Sequence, residues 1–328
     1  MPTQPSRSQV HIDAVLSNIS VAYIQDQSRF IAQQVFPVVP VDKASDKYFV
    51  YRKEDWFRDE AQKRADASES SGSGYDLGTD DYSCEVFAFH KDIGAQARSN
   101  ADDALDLDSE ATEFVTQRML LRQEVDWVQE YFTTGTWAND RAGVATGETP
   151  GTSFRRWSDY ENSDPVEDVE EGKEAILGTT GFEANTLVLG YSVFRRLKNH
   201  PDIRDRIKYT SSQTITPEML AAMLDIERVL VATSVRATTK EGAASPQYAF
   251  NHGKHALLCH VASSPGLLTP SAGYTFAWNG VSGGLGLPVG VSNFYMDAKK
   301  ADRIEAEAAW DNKVVGADLG YFFEDAVE

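Results

Sequence analysis

The chain has 328 residues, of which 41% are hydrophobic and 25% are charged, as in a globular protein large enough to bury a core in one or two domains. Its net charge of −19 argues against a sequence-reading DNA binder, because such proteins bind phosphates through clustered Lys and Arg. Its two cysteines give no disulfide framework, and we expect a reducing compartment, no signal peptide and no membrane span.

The first forty or so residues predict an arm rather than a domain. Ile12, Leu16, Ile19 and Tyr23 have helical spacing and predict one short amphipathic helix. Residues 36–41 contain two prolines, which fix their own φ and bias the preceding residues toward extended backbone. We therefore expect this segment to lie extended on another surface.

Residues 47–56 and 82–93 are rich in aromatic and β-branched side chains, and they predict two strands. Residues 58–81 between them are charged and rich in Ser and Gly, so they cannot bury a core. The whole unit predicts a long hairpin with a flexible tip. Because an isolated two-stranded ribbon is marginally stable, we expect it to lie on a neighbouring subunit of a self-assembling protein.

Residues 109–133 predict the clearest helix, roughly 35 Å long at about 1.5 Å per residue. The spacing predicts that one stripe of this helix is buried, and Arg118 is its only polar member. The predicted stripe is Phe114, Arg118, Leu121, Val125, Val128 and Phe132. Arg118 either extends its charged end to water or pairs with a carboxylate on an adjacent subunit.

The rest of the chain predicts a mixed body, and the whole an α+β fold. Asp164 and Pro165 indicate a helix start, with a capping side chain and a proline in the first helical position. Residues 137–160 and 263–286 are predicted to be irregular. The other predicted helices are 191–199 and 216–224, and the predicted strands are 186–189, 227–238, 255–262, 289–296, 302–310, 313–315 and 319–323.

The order of these elements and three local sequences resemble a known family. The sequences are residues 30–51 (FIAQQVFPVVPVDKASDKYFVY), residues 185–190 (NTLVLG) with the helix that ends near Pro201, and residues 303–321. Over nearly its whole length, the chain resembles the major capsid proteins of tailed bacteriophages, which have the Hong Kong 97-like fold. The match is one of pattern and contains no catalytic residues.

The resemblance implies a division of the chain. Residues 1–46 would be the N-terminal arm, and residues 47–93 the extended loop. Residues 94–185 would form the peripheral domain, with residues 109–133 as its spine helix. Residues 186–291 would form mainly the axial domain, and residues 292–328 would return to the peripheral domain.

The resemblance also implies a structural role, with no enzymatic activity and no cofactor. Copies of the chain would form pentamers and hexamers of an icosahedral shell around double-stranded DNA, which is held without sequence-specific binding. Implied partners are a separate scaffolding protein, a portal and, in some relatives, cement proteins, and the expected location is the virion, assembled in the host cytoplasm. Some relatives cross-link Lys to Asn at the hairpin, where Lys53 and Lys63 lie here. An encapsulin-like compartment is the alternative with the same fold.

A soluble hydrolase or metalloenzyme is the alternative of a different class. Residues 190–194 (GYSVF) place Ser192 between a predicted strand and helix, as in a nucleophile elbow, but Phe194 stands where that turn needs a small residue. His252, His255, Cys259 and His260 are the candidate metal ligands, in a spacing unlike that of regular zinc sites. Residues 280–286 are glycine-rich but lack the Lys of a phosphate loop. The sequence therefore predicts no catalytic, cofactor-binding or metal-binding residues.

Overall fold

The computed structural model describes residues 24–101, 106–207, 215–266, 268–281 and 290–328. The helix predicted around Ile12 to Tyr23 and most of the glycine-rich segment 280–286 lie outside these ranges. The described helices are α1 (Ala32–Val35), α2 (Lys53–Trp56), α3 (Ala95–Ser99), α4 (Leu107–Tyr131), α5 (Pro165–Thr180), α6 (Tyr191–Leu197), α7 (Pro201–Ile207) and α8 (Pro217–Met223), with short 3-10 turns at Gln27–Arg29 and Ala317–Leu319. The described strands are β1 (Val38–Val41), β2 (Ser45–Tyr51), β3 (Leu77–Ser83), β4 (Glu85–Gly94), β5 (Asn139–Val144), β6 (Ser153–Arg155), β7 (Thr186–Gly190), β8 (Arg228–Ala232), β9 (Val235–Ala237), β10 (Tyr248–Phe250), β11 (Ala256–Cys259), β12 (Gly273–Trp278), β13 (Gly290–Met296), β14 (Ala301–Val314) and β15 (Gly320–Glu324).

Two sheets organise the body, and they confirm the α+β class. In the first, the long strand β14 pairs antiparallel with β4, β12 and β13, and β1 joins parallel to β12. The second has the order β6-β5-β15-β11-β7-β8 and mixes parallel with antiparallel pairs. The pairs β2–β3 and β9–β10 form separate two-stranded ribbons. The chain thus alternates between the sheets, since β14 lies in the first and β15 in the second.

The long predicted helix is confirmed as α4, shifted by two residues from the predicted range. Asp106 caps it, because its side chain accepts a hydrogen bond from the N–H of Ser109 at 3.1 Å. Its first half packs on β14 in one apolar cluster, through small side chains such as Ala111 and Val115. Its last turns enter the main core through Trp127 and Tyr131. One helix therefore connects two separately packed regions.

The predicted buried face of α4 is wrong along most of the helix, although Phe132 at its end is buried and Val128 packs against the core, as predicted. The buried residues are Leu107, Ala111, Val115, Met119, Gln123, Glu124, Trp127 and Tyr131. Phe114 is 38% exposed, and the exposed Arg118 places its guanidinium 5.1 Å from the centre of the Phe114 ring. The prediction followed the largest apolar side chains, whereas β14 presents Ala306 and Ala308, against which small residues pack most closely. The contact on Phe114 agrees with an Arg118 that reaches water.

The prediction that residues 47–56 and 82–93 pair as one hairpin is wrong for most of the second segment. Residues 82–93 form two strands that separate at the buried Cys84. Only β3 pairs with β2, whereas β4 runs along β14 for ten residues. Residues 53–56, predicted as strand, form the short helix α2. Aromatic and β-branched content indicates strands but does not show where a strand changes its partner.

Two segments predicted to be irregular contain strands. Residues 137–160 include β5 and β6, and residues 263–286 include the mostly buried β12. Residues 302–310 and 313–315 are predicted as two strands, but residues 302–310 and 313–314 belong to the single strand β14, which ends before Val315. The glycines in residues 137–160 indicated a loop, but Gly143 lies inside β5, where a Cβ would be 2.3 Å from the carbonyl oxygen of Asp325. The segment after β15 can therefore cross β5 closely, and Ala326 and Val327 are buried there.

Candidate functional site

The β2–β3 ribbon is covered at its base by its own subunit. Tyr82 stacks on Phe276 of β12 with ring centres 4.6 Å apart, and Tyr48 approaches the same ring at 5.3 Å. Cys84 is buried beside them. The expectation that this ribbon must take its covering surface from a neighbour is therefore wrong for its base.

The outer part of the ribbon, residues 52–76, is largely exposed. Tyr51, Trp56 and Tyr75 form an aromatic cluster with ring centres 5.6–6.2 Å apart, and Trp56 and Tyr75 are 53% and 62% exposed. Lys53 anchors this part to the body through an ion pair with Asp318. An exposed group of large aromatic side chains is typical of an interaction surface.

The arm from residue 24 onward lies on its own subunit. Phe36 is buried, with its ring centre 4.6 Å from that of Tyr131 and 5.8 Å from that of Trp127. The side-chain amide of Gln25 donates to the carbonyl of Val235 at 2.7 Å and accepts from its N–H at 2.9 Å. The arm is thus held by specific contacts, and its proline-containing stretch is extended as β1, as its sequence predicts, whereas residues 32–35 form the short helix α1.

Ion pairs connect α3 with α4 and β4 with β14. Arg98 binds Asp108 through two hydrogen bonds of 2.6 and 2.7 Å near the start of α4. Asp92 accepts two hydrogen bonds from Arg303, at 2.7 and 3.0 Å, and one from Lys299 at 3.1 Å. The hydrogen bonds from Arg303, reinforced by Lys299, lower the pKa of the Asp92 carboxyl to about 2.

We expect Asp92→Asn to lower the free energy of unfolding at pH 7 by about 2 kcal/mol, the equivalent of its lowered pKa. Because the carboxyl binds a proton more weakly in the folded chain, its stabilising effect is present above about pH 4 and is lost as the pH falls toward 2. The difference in the free energy of unfolding between variant and parent, measured by urea denaturation, should be about half as large at pH 3 as at pH 7. Asp297→Asn, at an exposed turn, is the control with little expected effect. A difference that is equal at pH 7 and pH 3 would contradict the assignment.

Ser192 lies near the start of α6, and the serine-histidine contact that the structure does contain is elsewhere. Ser163 Oγ is 3.1 Å from Nε2 of the buried His200, whose Nδ1 is 3.4 Å from Asp202. The Ser163 hydroxyl donates its proton to the carbonyl of Asp159 at 2.6 Å, so its oxygen accepts from His200. Nε2 then carries the hydrogen and cannot act as a base toward this serine. The sequence does not indicate this contact, because Ser163, His200 and Asp202 follow no known motif.

The candidate metal ligands do not converge. His252 is buried under aromatic rings, and Cys259 is buried in β11. His255 Nδ1 accepts a hydrogen bond from the N–H of Asp325 at 3.0 Å, and His260 Nδ1 lies 2.7 Å from the carbonyl oxygen of Glu183. Within the described ranges, no three His, Cys, Asp or Glu side chains are placed to hold a metal ion. In the same ranges, no helix is long and apolar enough to cross a membrane.

Two phage proteins match the chain in sequence over nearly its whole length. No family model matches the chain. It is 25% identical over 315 residues to the major capsid protein of Burkholderia phage BcepMu, covering 94% of this chain and 95% of that protein. It is 24% identical over 328 residues to the major capsid protein of Pseudomonas phage JBD67, covering 96% and 97%.

Solved structures share the fold over nearly the whole chain. A phage-related protein from Bordetella bronchiseptica RB50 is 27% identical with a TM-score of 0.68, covering 92% of this chain and 93% of that one. The capsid protein of cyanophage P-SCSP1u is 7% identical with a TM-score of 0.60 and 99% coverage of both. The SrpI encapsulin of Synechococcus elongatus PCC 7942 is 12% identical with a TM-score of 0.52, covering 96% and 95%.

The solved structures place the chain in the class of proteins with the Hong Kong 97-like fold, as its sequence predicts. Within that class, the full-length matches to two phage proteins show that it is a homologue of phage major capsid proteins.

Proposed function

We propose that the chain is the major capsid protein of a tailed phage, a structural subunit whose copies assemble into the pentamers and hexamers of an icosahedral shell. The observation that carries this proposal is the β2–β3 ribbon, whose base is packed on its own sheet while its outer part presents exposed aromatic side chains. A ribbon that is held to its own body in this way, with exposed aromatic side chains in its outer part, can present them to a neighbouring copy in a defined direction. The full-length similarity to phage major capsid proteins supports the same function.

The division into domains follows from this proposal. Residues 1–46 are the arm, residues 47–93 the extended loop and residues 94–185 the peripheral domain around α4. Residues 186–291 are mainly the axial domain, and residues 292–328 return toward the periphery. The packing of α4 on β14 supports the last assignment for this strand, whereas β15 contributes to the other sheet.

The partners follow in the same way. The shell encloses double-stranded DNA without sequence-specific binding, because a subunit with a net charge of −19 does not recruit DNA by neutralising its phosphates. We infer a separate scaffolding protein, a portal and, in some assemblies, cement proteins as partners. The subunit is located in the virion capsid and assembles in the host cytoplasm, with no catalytic role and no cofactor.

The test is a deletion that keeps both ribbon strands. Replacing residues 56–75, which include the exposed Trp56 and Tyr75, by a short Gly-Ser turn should leave a folded subunit, with little change in circular dichroism, that no longer forms closed shells in electron microscopy. A Gly-Ser segment of equal length in the same place separates the loss of side chains from the loss of reach. Normal, stable shells from both variants would overturn the role given to the ribbon.

An encapsulin-like compartment is the second candidate, since an encapsulin has the same fold. The two named relatives, both from phages, favour the capsid. Purified particles decide between the two, because a capsid contains DNA and a compartment contains a cargo protein.

A further inference from the structure

Glu124 lies in the second half of α4, is fully buried, and contacts the arm directly. Its Oε2 accepts a hydrogen bond from the N–H of Ala32, the first residue of α1, at 2.9 Å. Its Oε1 accepts from the hydroxyl of Ser234 at 3.0 Å. At the other end of α1, Arg228 donates to the carbonyls of Gln34 and Val35, both at 2.9 Å. The carboxyl group of Glu124 therefore holds the start of α1, and the guanidinium group of Arg228 holds its end.

His252 completes the environment of the carboxyl group. Its Nδ1 is 3.5 Å from Glu124 Oε1, and its ring packs against Trp127 and Phe132 with centres 5.4 and 5.0 Å away. Among the residues that the structure describes, neither ring nitrogen of His252 has a hydrogen-bond partner. Burial lowers the pKa of His252 to about 3, so the ring is neutral near pH 7 and supplies no charge to balance a carboxylate.

We propose that Glu124, Ser234 and His252 form a proton-controlled latch, which fastens the N-terminal arm to α4 when Glu124 is protonated and loosens when Glu124 ionises. The neutral acid adds no charge to this site, and its Oε1 faces Nδ1 of His252 across 3.5 Å while Oε2 still accepts from Ala32. The ionised acid is a buried negative charge with a neutral imidazole beside it, and it is stabilised when the arm moves away and admits water.

In the part of the chain that the structure describes, the side chains around Glu124 place no positive charge directly beside its carboxyl group. The arm contributes no charged side chain over residues 31–35, and Gln123 and Val125 flank Glu124 on α4. Arg228 of β8 binds the far end of α1, and His255 lies beyond His252 along the chain. Ser234 gives the carboxyl a hydrogen bond without a charge.

The direction of the pH dependence follows from burial, which raises the pKa of Glu124 to about 7 from its usual value near 4.5. Glu124 therefore holds a proton in the latched state that it gives up in the released state, so latching weakens as the pH rises from about 4.5 through about 7 and levels off above that. Between pH 6 and pH 8 the released fraction should grow about tenfold. This latch belongs to the single subunit and does not depend on shell formation.

Trypsin cleavage after Arg29 tests the latch in the full-length chain. Arg29 lies in an exposed turn, but the next residue, Phe30, is only 6% exposed, so cleavage requires the arm to open. We compare the parent with Glu124→Gln, whose amide keeps the neutral pairing but cannot ionise. The ratio of the parent rate to the variant rate removes the protease's own pH dependence, and it should rise about tenfold from pH 6 to pH 8. Size-exclusion chromatography at each pH checks that the parent and the variant are in the same assembly state.

Two further variants sharpen the result. Glu130→Gln changes an exposed carboxylate on the same helix and should behave as the parent. Ser234→Ala removes a hydrogen bond to the ionised form, which should move the pH at which cleavage accelerates upward. Equal pH dependence in the parent and Glu124→Gln overturns the latch, as does an unchanged midpoint in Ser234→Ala. If Glu124→Gln does not fold, hydrogen exchange of residues 32–35 in the parent decides, and protection that is constant from pH 5 to pH 8 after correction for intrinsic exchange also overturns it.

Discussion

Trp127→Ala should lower the free energy of unfolding by about 3–5 kcal/mol, in the range measured when large aromatic side chains are removed from cores. Trp127 is fully buried where the arm, α4 and the main core meet. Its ring centre lies 5.2 Å from that of Tyr131 and 5.8 Å from that of Phe36. Since these neighbours belong to different elements, they cannot all move to fill the cavity. Urea denaturation followed by circular dichroism measures the loss.

Phe114→Ala is the matched control, because it removes another aromatic ring from the same helix. Phe114 is 38% exposed, so we expect a cost of about 1 kcal/mol. The pair also tests which face of α4 is buried, since the pattern of large apolar residues predicts the opposite ranking. Equal losses for the two variants would show that the face with Trp127 is not the buried one.

Gly143→Ala should cost about 2–3 kcal/mol, because the added methyl group would overlap with backbone rather than with a movable side chain. Its Cβ would be 2.3 Å from the carbonyl oxygen of Asp325 and 3.0 Å from that of Glu324. The segment that follows must shift, and with it the buried Ala326, whose carbonyl accepts from the N–H of Trp157 at 2.8 Å. Thermal unfolding measures the loss of stability. Faster hydrogen exchange at residues 325–327 would show that the loss arises where the chain crosses β5.

Gly94→Ala is the comparison for this effect. Gly94 also lies in a strand, but a Cβ there would have no atom within 4 Å. We expect a change within about 0.5 kcal/mol, as for surface positions without special contacts. A similar loss in both variants would mean that any glycine in a strand costs this much, and that the close approach at Gly143 has no particular role.

Local signals in the sequence predicted local structure well. Asp164 caps α5 through the N–H groups of Val166 and Glu167, each at 3.1 Å, with Pro165 in the first helical position. The apolar run at β7 is a fully buried strand. In these cases the residues that determine the element are the residues that form it, so the neighbouring sequence is sufficient.

The partners of the strands and the buried face of α4 were harder to predict, because they depend on residues far along the chain. The change of partner at Cys84 is decided by β14, more than 200 residues later. The buried carboxyl of Glu124 has the same origin, since its hydrogen bonds come from Ala32 and Ser234. In the sequence it is one of many glutamates on a helix, and no spacing distinguishes it. The absence of catalytic, cofactor and metal residues stays a prediction.

The burial of both native thiols has a practical consequence for spectroscopy. Burial raises the pKa of Cys84 to about 11 and that of Cys259 to about 12, so neither is appreciably ionised near neutral pH. A single cysteine placed at the exposed Ser73 would then react selectively with a maleimide dye in the otherwise unaltered chain. Fluorescence energy transfer between labelled copies could report how far apart the ribbon tips stand.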